Sequence, residues 1–274
     1  MMPRDLRRTS LILALGVLIL AVSVDAHDLW LVADPPSVAL GSPLRLDAAT
    51  GMKFPESLSA VTPDRVAGFW VLDAEGQRHE VAGARVDGDL LRAEVSLEAP
   101  GVALAALAIK PLTLELSAAD FNEYLEHDGL PQILERRRSR GELEKGVRES
   151  YAKYAKAIVT VGDGGSRDLA TRPVGLRIEI VPLKDPGEVG AGETLTVQVR
   201  FDGEPLEGVY VYALASGDET YADGHRTDGQ GRTSVTLPAG GLMSLHCIHM
   251  RPHADPAVAD WESFFATVTF VAAE

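Results

Sequence analysis

Two groups of residues in this 274-residue chain have the types and spacing to hold a metal ion. The first is a single residue, His27. Arg4, Arg7 and Arg8 precede an apolar run over residues 11–22, and Val24-Asp25-Ala26 supplies the −3 and −1 positions of a signal-peptidase site. Cleavage before His27 is therefore predicted, which makes His27 the first residue of the exported chain. Its free α-amine and its imidazole Nδ1 would then close a compact chelate ring on one ion. Both donors bind as neutral nitrogen, which suits Ni, Co or Cu better than Ca or Mg.

The second group is Leu245-His246-Cys247-Ile248-His249-Met250-Arg251-Pro252-His253, the chain's densest set of borderline and soft ligands. Strand alternation divides it: Cys247 and His249 share one face, His246 and Ile248 the other. The expectation is a buried Cys247, a surface His246, and His249 as the partner of His27 in a metal site. Secondary candidates are His246, His253, Met250 and Asp28. His79, His127 and His225 stand alone; the first two read as solvated side chains, and His225, in the turn Asp223-Gly224-His225, is a weak candidate.

Other chemistry finds little support. Forty Asp and Glu against 26 Lys and Arg give a net charge of −14, and removal of residues 1–26 takes it to −15. Such a chain repels nucleic-acid phosphates, so no nucleic-acid partner is expected. The stretch Gly162-Asp163-Gly164-Gly165 lacks the Lys-Ser/Thr ending of a phosphate-binding loop, and no G-x-S-x-G, H-E-x-x-H or C-x-x-C pattern occurs. The run Arg136-Arg137-Arg138-Ser139-Arg140 is flanked by Glu135, Glu142 and Glu144 and reads as a solvated, salt-bridged helix end. The apolar run of 12 residues is short of the roughly 20 that span a bilayer, so a cleaved leader and a soluble periplasmic product are expected.

The elements that must position these residues are mostly strands. Residues 27–116 alternate short apolar stretches with turns such as Asp34-Pro35-Pro36 and Gly41-Ser42-Pro43. Ser117-Ala118-Ala119-Asp120 then looks like a helix N-cap, followed by Phe121, Tyr124 and Leu125 at helical spacing. Val147, Tyr151, Tyr154, Ala155 and Ile158 also fit one helical face, which predicts a helical insertion over 117–157. Residues 163–173 read as a linker. Alternating sets at Leu176-Ile178-Ile180, Leu195-Val197-Val199-Phe201 and Phe264-Ala266-Val268-Phe270 predict a second β-sandwich over 174–272. The expected fold class is mainly β, with an N-terminal β domain over 27–162 and a C-terminal one over 174–272.

Several strings together resemble a bacterial family of exported proteins described as periplasmic components of cobalt or nickel uptake systems. They are Ala26-His27-Asp28-Leu29-Trp30-Leu31, Phe121-Asn122-Glu123-Tyr124-Leu125, Tyr154-Ala155-Lys156-Ala157, Phe201-Asp202-Gly203-Glu204-Pro205-Leu206-Glu207-Gly208, Thr227-Asp228-Gly229-Gln230-Gly231-Arg232, Ile248-His249-Met250 and Ala259-Asp260-Trp261-Glu262-Ser263. The resemblance implies two β-sandwich domains, the second transthyretin-like or carboxypeptidase-regulatory-like. It also implies binding or delivery of a transition metal outside the membrane, and the leading expectation is a non-enzymatic protein that holds nickel or cobalt and passes it to a membrane transporter. His27 falls on the family's first mature position and His249 on the His of its His-Met pair. His246 and Cys247 depart from its pattern. Two alternatives stay open: a copper carrier or copper enzyme built on the N-terminal histidine chelate, and an adhesion or carbohydrate-binding β-sandwich module.

Overall fold

The computed structural model describes residues 27–219 and 224–274. The predicted leader, residues 1–26, lies outside the described residues. In chain order the strands are β1 (Asp28–Ala33), β2 (Ser37–Val38), β3 (Pro43–Gly51), β4 (Val66–Leu72), β5 (Arg78–Glu80), β6 (Arg85–Asp87), β7 (Leu90–Ser96), β8 (Gly101–Ile109) and β9 (Leu112–Leu116). Two helices follow, α1 (Ala118–His127) and α2 (Pro131–Ser139). Then come β10 (Val147–Val161), β11 (Ile178–Pro182), β12 (Thr194–Phe201), β13 (Glu204–Pro205), β14 (Tyr210–Ala215), β15 (His225–Arg226), β16 (Arg232–Thr236), β17 (Gly241–Pro252) and β18 (Trp261–Ala272).

The fold is mainly β, as its alternating apolar residues dictate. Its centre is a ten-stranded sheet ordered β15-β14-β17-β18-β10-β8-β4-β5, with β2 and β9 also pairing to β10. One face of this sheet is covered by β1, β3, β7 and β6 and, beside them, by the two helices. The apolar residues between the layers include Leu29, Leu31, Leu46, Leu91, Leu107 and Ala157 under the strands, and Phe121, Leu125, Ile248, Trp261 and Phe265 under the helices. The other face is covered by β11, β12, β13 and β16 over Ile180, Val197, Leu245, Cys247, Phe264 and Val268. Both faces of β17 and β18 are therefore buried, and these strands run for 12 residues each.

The helical insertion is half as long as expected. Ser117 caps α1, its side chain accepting the Asp120 N–H at 3.1 Å. Gly129, at φ +70°, turns the chain into α2; a Cβ there would meet the Tyr212 hydroxyl at 1.7 Å, so the close approach excludes a side chain. From Val147 onward, however, the chain is strand and not helix. Val147, Glu149, Tyr151, Lys153, Ala155, Ala157, Val159 and Val161 line one face of β10, and two of these eight are charged. Those charges disguise the two-residue period, and the Ala, Lys and Tyr around them suit a helix. Tertiary pairing overrides that preference, because β10 lies between β8 and β18. The basic run also needs correction. Arg137 is 1% exposed, not solvated: it donates to Asn122 Oδ1 (3.0 Å) and to the carbonyls of Glu142 (2.8 Å) and Lys145 (2.7 Å), tying α1, α2 and the following turn together.

The central sheet continues across the 163–173 boundary, for β10 pairs in parallel with β18 over nine positions, from Glu149 with Trp261 to Ala157 with Thr269. A buried ion pair crosses to the second layer, Lys156 Nζ lying 3.6 Å from Glu179 on β11.

Candidate functional site

A sheet face covered only by apolar side chains has no use for charge, yet one patch of the central sheet concentrates it. The patch is built from one row across three strands, where Tyr212 on β14 faces His246 on β17, which faces Thr267 on β18. The next row holds Phe265, whose neighbour on β10 is Lys153. The His246 ring stacks on Phe265 at 6.3 Å with 14° between planes, and the Lys153 ammonium lies 5.2 Å from the same ring centre.

Strand β1 brings the start of the predicted mature chain onto this patch. The Thr267 hydroxyl donates to the Leu29 carbonyl at 2.6 Å, and the Thr269 hydroxyl donates to that of Leu31. At the end of the strand Lys153 Nζ donates to the His27 carbonyl. Asp28 is consequently buried, and its Oδ1 lies 3.3 Å from His246 Nε2. The Asp128 carboxyl, at the C-cap of α1, interacts with Asp28, Lys153 and Glu149 from the helical side. Glu149, also buried, accepts from the Tyr124 hydroxyl at 3.2 Å and from the Ser263 hydroxyl.

Burial governs the electrostatics. It raises the Asp28 carboxyl, against the pull of Lys153. It raises Asp128 to about 8, helped by repulsion from Asp28, and raises Glu149 despite its hydroxyl donors. Burial lowers the Lys153 ammonium, which Asp28, Asp128 and Glu149 resist. It drives His246 down to about 3, so the imidazole is neutral. Neutral imidazole beside carboxylates is a nitrogen and oxygen donor set of the kind that borderline divalent ions take. Among the described residues, no three His, Cys, Asp or Glu side chains already converge as a ligand set. In the full chain the His27 backbone nitrogen is an amide and not a metal ligand.

The structure brings Asp28, the sequence neighbour of His27, against His246 and leaves the other candidates elsewhere. His246, expected at the surface, has no exposure. His249 points through the opposite face, stacked with Phe264 at 6.2 Å and against Phe201 at 4.8 Å, and so does not share a site with His27. Burial, with Arg251 close by, lowers its imidazole to about 4. Cys247 is buried on that same far face, and burial raises its thiol. Met250 lies in the apolar core beneath the helices. His253 lies past the end of β17, its Nδ1 accepting the Asp255 N–H at 3.0 Å. His127 and His225 are exposed, and His79 pairs with Asp73 at 2.6 Å.

Sequence reasoning missed Lys153, Glu149 and Asp128. For the first two the signal was faint: in a 15-residue stretch free of Gly and Pro, Glu149 and Lys153 fall in step with Val147, Tyr151, Ala155 and Val159 at a spacing of two, while Arg148 and Lys156 fall out of it and obscure the pattern.

Fold and site thus define a three-layered, mainly β protein with a buried, carboxylate-rich patch at the start of its first strand. The chain belongs to the family designated domain of unknown function DUF4198, which matches residues 24–251. No curated protein matches it. Among solved structures it is similar to the D0-D1 domain of intimin at 14% identity, covering 89% of this chain and 98% of that one, with a TM-score of 0.24. Salmonella alpha-2-macroglobulin reacted with methylamine matches at 11% identity over 89% of this chain and 15% of its own, TM-score 0.25. The Yersinia pseudotuberculosis adhesin InvE matches at 13% identity over 89% and 58%, TM-score 0.23. Likeness at this level carries no argument about fold or function.

Proposed function

We propose that the protein is exported to the periplasm, cut before His27, and holds a transition-metal ion there for a membrane transporter. Nickel or cobalt is the cargo, and copper is the competing ion. The His27 amine and imidazole supply the chelate, and His246, not His249, supplies the further nitrogen, with Asp28 beside it. One observation carries this reading: His246 Nε2 lies 3.3 Å from the carboxylate of the residue next to His27, in a patch where acidic groups outnumber cations. The donors are neutral nitrogen and carboxylate oxygen, the classes that Ni, Co and Cu(II) accept. No catalytic step is assigned. In the same reading, β11, β12, β13 and β16 with the facing strands of the central sheet form a C-terminal sandwich of transthyretin-like or carboxypeptidase-regulatory-like kind.

Calorimetric titration of residues 27–274 with Ni, Co and Cu(II) tests the proposal. Adding one Met before His27 turns the amine into an amide while leaving every side chain in place. That extension and His246→Ala should each weaken binding at least tenfold, about 1.4 kcal/mol. His249→Ala should leave affinity within about twofold, since removing a ring from the far face takes away no donor. Equal affinity in the processed, extended and His246→Ala proteins would rule the site out.

A further inference from the structure

The far face of the central sheet holds a second polar cluster, built around the histidine that the metal site leaves unused. Phe201, at the end of β12, and Phe264, on β18, pack with 4.8 Å between ring centres. Three nitrogen-bearing side chains gather on this pair. His249 lies 4.8 Å from Phe201 and 6.2 Å from Phe264. The guanidinium carbon of Arg177 lies 4.5 Å from the Phe264 centre and 5.2 Å from that of Phe201, and that of Arg251 lies 5.6 Å and 5.1 Å from the same two. Arg177 immediately precedes β11 in the covering layer, whereas Arg251 stands on β17 in the central sheet. Each guanidinium is fixed through Nε: Arg177 donates to Asp202 at 2.9 Å and Arg251 to Glu262 at 2.6 Å. These two cations and two carboxylates are the charged neighbours of His249, so the cluster is balanced within a strongly acidic chain. Its donors exceed what the two carboxylates use. Among the described residues the terminal nitrogens of Arg251 and the ring nitrogens of His249 make no hydrogen bond, and Arg177 adds the Tyr154 hydroxyl alone. Both arginine side chains are about two-fifths exposed, at 40% and 41%, so a ligand can reach them.

We infer that this cluster binds a small organic dicarboxylate, one carboxylate on each guanidinium fork and the carbon chain against the phenylalanine rings, with the His249 imidazole as a further donor. The terminal nitrogens of a guanidinium match a carboxylate edge to edge. Because the two forks come from different layers, a single carboxylate engages one of them and leaves the other to water. A phosphate has no carbon to lay on the rings. Two carboxylates joined by a short chain use the whole cluster. The inference does not depend on the metal site, which lies on the opposite face of the sheet.

The test is calorimetric titration of residues 27–274 in metal-free buffer with succinate, acetate and inorganic phosphate. Succinate should bind with a Kd of about 1 mM or tighter, and acetate and phosphate should each bind roughly tenfold more weakly or worse. Arg177→Lys and Arg251→Lys keep each charge and lose the fork. Each should weaken succinate by about tenfold or more while the thermal midpoint stays within about 2 °C of wild type. Having two variants, on different layers, keeps the test open if one fails to fold. His249→Gln should weaken succinate about threefold, the loss of one hydrogen bond. His246→Ala, on the opposite face, should leave succinate binding unchanged, and Arg251→Lys should leave nickel affinity unchanged, so failure of this site and failure of the metal site are told apart. Succinate that does not bind at about 10 mM, or that binds both lysine variants as tightly as wild type, would overturn the site. Acetate or phosphate as tight as succinate would overturn the dicarboxylate class.

Discussion

His246 shows how a residue acquires a role from both sides of a sheet. Its imidazole is neutral because burial withholds the proton, and it is held against Phe265 next to Asp28. His249, three residues on, is also starved of protons, by burial and by Arg251 and Arg177, against the opposing pull of Glu262 and Asp202, and it packs against Phe201 and Phe264. That difference has a measurable sign. His249 titrates at about 4 in the fold against about 6.5 when unfolded, so the unfolded chain binds the extra proton first. Its contribution is fully present above about pH 6.5, falls as pH drops toward 4, and is constant below that. Denaturation midpoints of wild type and His249→Gln should therefore converge as pH falls from 7.5 to 4. A difference that grows over that range would show that burial does not hold the ring neutral.

At the scale of the element, β10 carries charge on both faces. Glu149 and Lys153 serve the site, while Lys156 points the other way to Glu179, whose carboxylate also accepts the Val174 N–H at 2.9 Å. Lys156→Met would leave Glu179 buried without its cation and should cost about 3 kcal/mol or more in urea unfolding. Lys156→Met with Glu179→Met should recover part of that, because the charge left behind is gone too. A single variant as stable as wild type would mean that the pair contributes nothing. The same strand explains what the sequence made legible. His27 and Asp28 could be named from a cleavage pattern, and α1 from its Ser117 cap. His246 was expected outside because alternation with a buried Cys247 implies a sheet with one wet face, whereas this sheet is covered on both. Glu149 and Lys153 were hidden because charges at buried positions erase the very alternation that marks a strand. Asp128 sits at a helix end, where nothing local marks it as a partner of Asp28.

At the scale of the molecule, the parallel pairing of β10 with β18 makes the two halves one structure. Its partners lie more than a hundred positions apart in sequence, Glu149 with Trp261 and Ala157 with Thr269. A fragment of residues 169–274 keeps all its own strands but loses β10, leaving one side of β18 unpaired and part of its apolar face without neighbours. Such a fragment should show no cooperative thermal transition by circular dichroism, while residues 27–274 should unfold in one step. A sharp, reversible transition in the fragment would show that the C-terminal strands stand alone.

The contact between Asp28 and His246 joins the second residue of the predicted mature chain to one of the last strands to be synthesised. Its two partners are separated by most of the polypeptide, so no product that ends before His246 can bring them together. Occupancy of the site would then act as a checkpoint for completeness. In the proposed function, an ion would be retained only by a molecule in which every residue between those two has been made and has found its place.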